Sequence, residues 1–192
     1  MALGLPTVPI FQAFFASHGL TGSSSSQLAG GCADGLELYM SGAGCSTISI
    51  DVGTLGTGTG FGFGIVLAPP LLSSTMSAMF LGLLISGPFS PITANAISFG
   101  ICTSLAIASI NTNNVGVGVG TGKVQCIPHG IGGLIFTGAF LSSGMSGPMI
   151  PSLGQAIGSA LDATIASALG IVVIAGPPNI LPGAGIGIAQ VS

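Results

Sequence analysis

The sequence predicts a mainly α fold with short Gly-rich β segments, in which three tandem helix-turn-helix repeats pack with pseudo-threefold symmetry into a single compact body. Three observations carry that expectation. With Gly22, Gly87 and Gly147 taken as equivalent, Phe15, Phe80 and Phe140 fall seven residues before the anchor, and Phe11, Met76 and Phe136 eleven before it. Ten residues after the anchor come Cys32, Ile97 and Ile157, fourteen after it Leu36, Ile101 and Leu161, and eighteen after it Met40, Leu105 and Ile165. Each copy then closes on alternating glycines: GTGTGFGFG from Gly56, GVGVGTG from Gly116 and GAGIG from Gly183. A period near 60, seen most plainly at Pro88/Pro148 and Pro91/Pro151, exceeds that of the common solenoids. The repeats are therefore supersecondary units, residues 1–66, 67–127 and 128–192, interlocked as one domain.

The first repeat opens with an apolar helix over Ile10–His18, where Phe11, Phe14 and Phe15 recur at helical spacing. Gly19 and Gly22 end it, and the run Ser23 to Ser26 reads as a loop offering capping hydroxyls to a second helix over Gln27–Met40. Beyond Gly42 the alternation in CSTISIDV predicts a strand. In the glycine run that follows, an extended chain has one bare face, which lets another backbone approach closely. The second repeat offers helices over Met76–Ile85 and Pro91–Ser109, with proline where a helix tolerates it, and Asn111 to Asn114 read as a turn. The third offers helices over Leu134–Ser143 and Pro151–Leu169, a strand over Ile171–Ala175 and the last glycine alternation.

Composition bounds what such a body can do. Only Asp34, Glu37, Asp51, Lys123 and Asp162 carry formal charge, 3% of the chain, and none lies between Val52 and Gly122. Ordinary globular chains carry roughly 25%. An exterior with so little charge predicts that most of it is covered, by protein or by lipid. Against lipid, the best apolar run, Ile65 to Ile85, is broken by Pro69-Pro70 and Ser73-Ser74-Thr75, whereas a span needs about 20 apolar residues. One lysine sets no orientation, and one Tyr with no Trp makes no aromatic belt. The lack of a basic patch excludes nucleic acid as a direct ligand. Cys32, Cys45, Cys102 and Cys126 allow three disulfide pairings, but Cys32 and Cys102 fall on buried helix faces and read as apolar core thiols.

Chemistry-bearing patterns are few. Cys126-Ile127-Pro128-His129 is a C-x-x-H that, with His18 and either Cys45 or Asp51, has the ligand types for zinc. Asp34 and Glu37 read as the solvated side of a helix, and neither histidine sits beside an orienting acid or a nucleophile elbow. No enzyme activity is expected, and no cofactor other than that zinc. The stretch GTGKVQCIPHGIGGLIFTG is similar to the PAAR-repeat proteins, which cap the trimeric spikes of contractile phage tails and type VI secretion systems and carry a C-P-x-H-G-like segment before a Gly-rich turn and an apolar strand. The resemblance implies that Cys126 and His129 bind metal at a tip.

The expected function is structural: an assembly protein of the virion of a tailed phage or related contractile particle, in the baseplate hub, spike or tube end, packed among other protein subunits. Phe15, Phe80 and Phe140 are the expected core. Gly56, Gly58, Gly60, Gly116, Gly118, Gly120, Gly183, Gly185 and Gly187 are the expected close-contact positions. Two alternatives are a membrane-embedded Gly-zipper pore or holin-like protein, and a metal-binding spike-tip cap.

Overall fold

A computed structural model describes residues 7–41, 44–54, 57–67, 73–115, 119–167, 169–175 and 183–190. Its elements are α1 (Thr7–Ser17), α2 (Ser23–Ser41), β1 (Gly44–Thr54), β2 (Thr57–Leu67), α3 (Ser73–Gly82), α4 (Ser90–Ile107), β3 (Ser109–Val115), β4 (Val119–Ile127), α5 (Gly132–Ser142), α6 (Ile150–Ser167), β5 (Leu169–Ala175) and β6 (Gly183–Gln190). Helices are the larger part, as expected, and the order helix, helix, strand, strand occurs three times.

Each helix pair turns in the same way. Gly19, Leu84 and Gly144 follow the first helix of their pair with φ of 75°, 61° and 81°. The next amide, of Leu20, Ile85 or Met145, donates to the carbonyl of Phe15, Phe80 or Phe140 at 2.9, 2.8 and 3.1 Å. This is the left-handed ending that satisfies helix carbonyls left without partners. The serine run expected as a loop lies instead inside α2. Its helical bonding starts at the Gly22 carbonyl, which accepts from the Ser26 amide at 3.2 Å, and the Ser25 hydroxyl donates back to the Leu20 carbonyl at 2.7 Å.

The helix pairs form a closed ring: α2 contacts α3, α4 contacts α5, and α6 contacts α1. Aromatic or Met side chains of one pair enter gaps left by glycines on the pair before. The Phe80 ring lies where a Cβ on Gly31 would stand 2.9 Å from it, Met76 fills the same kind of gap at Gly35, and Phe136 does so at Gly100. The phase-matched residues all join one buried cluster, including Phe11, Met76 and Phe136 from the first helices and Leu36, Ile101 and Leu161 from the second.

The strands pair antiparallel in chain order, and β6 returns to β1 to close a barrel. They are longer and more fully paired than the short segments the sequence suggests, because each glycine run finds a neighbour on both sides. Ser49, for example, is opposite Gly62 on β2 and Gly185 on β6. The registers put Gly58, Gly60, Gly62 and Gly64 on one face with Gly120, Gly122, Gly183, Gly185 and Gly187. Cys126 shares that face and is fully buried, while Gln125 and Ile127 beside it are exposed, so the glycine face is the inner one. Eight strands leave a lumen just wide enough for side chains; six leave less, and glycine is the residue that lets them close. Asn111 to Asn114, expected as a turn, belong to β3. Asn113 is held between Phe61 and Lys123, and Asn111 between Phe63 and Gln125, so pairing on both sides outweighs asparagine's preference for turns.

Candidate functional site

The cysteine-histidine segment joins β4 to α5. Cys126 is buried at the end of β4, and His129 is exposed in the loop, followed by Gly130 at φ 72°. The segment after the loop is helix α5, not the apolar strand that the PAAR-like pattern carries. Across from it, the Gly132 amide donates to Oδ2 of Asp162 on α6 at 3.4 Å. Burial raises the Asp162 carboxyl above its ordinary value, and it outweighs the Gly132 amide and the nearby His129, which both lower it. His18 stands at the far end of α1, with Nδ1 2.9 Å from the Phe14 carbonyl and 3.2 Å from the Ser17 hydroxyl. Among the described residues no three His, Cys, Asp or Glu side chains come together, so Cys126, His129 and His18 do not converge on one metal centre.

The acidic pair on α2 offers no enclosed site either. Glu37 is exposed and Asp34 partly buried, and burial first, then the charge of Glu37, raises the Asp34 carboxyl. Asp34 accordingly favours its neutral form more than a solvated carboxyl does.

The packing residues are placed as follows. Phe15, Phe80 and Phe140 are buried at 2%, 0% and 0% exposure, each at the end of the first helix of its pair. Gly58, Gly60, Gly120, Gly183, Gly185 and Gly187 lie on the inner face of the barrel; Gly56, Gly116 and Gly118 lie outside the described residues. Two features had no sequence signal. The first is a cavity of about 480 Å³ between α4 and α5, whose walls include Ile92, Phe99 and Ser143. The second is a contact between helix pairs: Tyr39 of α2 hydrogen-bonds with Cys102 of α4. A lone tyrosine and a cysteine 63 positions apart have no pattern to link them before the ring closes.

That contact makes a pH prediction. Burial first, then the charge and hydrogen bond of Cys102, push the Tyr39 hydroxyl from 10.0 up to about 12. The fold therefore favours the neutral phenol: its contribution is fully present below pH 10 and is lost as pH rises from about 10 towards 12. Because the chain has one Tyr, ultraviolet titration reads it directly. The expected curve ionises well above the free-tyrosine range, and Tyr39→Phe removes the matching loss of thermal stability.

On the exterior, Leu81, Leu84, Phe89, Phe99, Leu134, Leu141 and Met149 are each more than half exposed. Among the described residues one helix, α4, is long and apolar enough to cross a membrane, with mean hydropathy 1.3, and 44% of it is buried inside the chain itself. No protein family, curated protein or solved structure matches the chain.

Proposed function

We propose that the chain is a structural assembly protein of a tailed phage or related contractile particle, a baseplate hub, spike or tube-end component that acts by apolar and glycine-mediated packing against other subunits. The carrying observation is the exterior: among the described residues seven large apolar side chains are more than half exposed, on a chain with five formal charges. Monomers seldom leave apolar patches beyond a few hundred Å² uncovered. In this reading residues 1–66, 67–127 and 128–192 are three copies of one unit with pseudo-threefold symmetry. The three matching helix-pair turns and the cyclic seams between pairs support it. A three-unit chain fits a threefold or sixfold axis of a particle, where one copy faces several identical partners. Cross-linking mass spectrometry on particles from the native source tests this: the account expects cross-links from Lys123 or the acidic side chains to other particle subunits. Recovery of the chain only outside any particle would overturn it.

Lipid is the second reading, a Gly-zipper pore. The apolar α4 supports it, as do β1 and β2, whose 11 residues reach the roughly 9–11 of a membrane strand. Needing detergent to stay dispersed as isolated subunits would favour it. A metal-tipped cap would require Cys126 and His129 to hold an ion with ligands from a partner. Stoichiometric zinc in the assembled particle, lost in His129→Ala, is what that reading expects.

A further inference from the structure

At positions aligned on Gly22, Gly87 and Gly147, the three helix pairs differ most on their outer surface. The second pair carries Leu81, Leu84, Phe89, Ile92 and Phe99, all exposed. The first has Ala16, Gly19, Ser24, Gln27 and Asp34 at those positions, and the third has Leu141, Gly144, Met149, Ser152 and Ser159. Small or polar residues satisfy the same backbone in the first pair, so the helix pair itself does not need the five large apolar side chains. Leu84 shows this best. It takes φ 61° where both counterparts are glycine, and it is 80% exposed, so its side chain gains little packing within the chain to set against the strain of a branched residue in the left-handed region. Two of these five, Ile92 and Phe99, also line the cavity of about 480 Å³ that α4 shares with α5.

We propose that this face binds a second copy of the chain in a twofold contact, the Leu84 tip of each protomer entering the α4–α5 groove of the other. A twofold contact requires a self-complementary patch, and this face carries both knob and groove. At about 200 Å² for a fully exposed side chain of this size, the exposures of 63%, 80%, 67%, 37% and 59% leave about 600 Å² open on these five residues. A stable interface takes about 600–1,000 Å² from each partner, and these five residues, two of them in the groove wall, reach the lower end of that range. No residue of the tip or of the groove lining is charged, so two copies meet without repulsion, while an anionic bilayer finds no lysine or arginine here. The inference rests on the reading that protein covers the exterior.

The test is sedimentation equilibrium on the full-length chain purified without detergent, with thermal unfolding followed in parallel. The expected result is a reversible dimer whose Kd rises at least about tenfold in Leu84→Gly and in Phe99→Ser. Leu84→Gly should at the same time keep or raise Tm at monomer concentrations, because glycine relieves the backbone. A chain that stays monomeric throughout, or a dimer indifferent to both substitutions, overturns the twofold contact and leaves the protein-cover reading to its own test on native particles. Flotation of the chain with phosphatidylcholine vesicles, in place of a dimer, overturns both.

Discussion

Phe80→Ala is expected to cost about 3–5 kcal/mol, the range for deleting a buried aromatic from a packed core. Phe80 is fully buried, its carbonyl accepts the Ile85 amide that ends the helix, and its ring fills the gap at Gly31 on the neighbouring pair. One truncation therefore empties a core position and loosens the seam between α2 and α3. The seam makes the loss non-additive. Gly31→Ala alone puts a Cβ 2.9 Å from the ring and 3.4 Å from Leu83, an overpacking worth about 1–3 kcal/mol. In the Phe80→Ala background that clash is gone, and the alanine gains helix propensity. A double-mutant cycle read by urea unfolding should give a coupling of about 1 kcal/mol or more between the two positions. Simple additivity would mean that the ring does not occupy the gap.

Gly158→Ala is the second large effect. A Cβ there meets main-chain atoms of Gly132 and Gly133 on α5, which cannot swing aside as the tip of a flexible side chain can. The reciprocal holds at Gly132, whose Cβ would stand 2.8 Å from the Gly158 carbonyl oxygen. The α5–α6 pair must separate to admit the methyl group, and the loss should reach at least the roughly 1–3 kcal/mol of an overpacked core. Gly138→Ala on α5 is the control. It has open space around it, so it should leave stability unchanged or raise it by up to about 1 kcal/mol through helix propensity. Equal losses at Gly138 and Gly158 would show that close approach of the two helices is not the reason.

The helical body was legible because its signal is local and repeated. Phe11 and Phe15 lie one turn apart, as do Cys32, Leu36 and Met40, and the same phase recurs in later copies, so the buried stripe can be read without knowing what it packs against. Helix limits were less clear where serine is equally at home in a cap and a first turn, as at Ser23 to Ser26. The barrel was legible only as extended glycine runs. Closure depends on pairing β1 with β6, whose partners Cys45 and Ala189 are 144 positions apart, and no window of sequence holds that information. The asparagine run was misread for the same reason, since its two strand neighbours come from different parts of the chain. Of the candidate metal ligands, the sequence showed Cys126 and His129 three positions apart, but it had no means of showing that the described residues bring no group of three such side chains together.

The central claim is that protein covers the uncharged exterior. The most direct test is a density-flotation gradient on lysate from the native source, with the chain followed by mass spectrometry before and after detergent. The account predicts that it sediments in a discrete large particle that survives detergent. Flotation with lipid, abolished by detergent, would contradict it and put the bilayer in place of partner subunits.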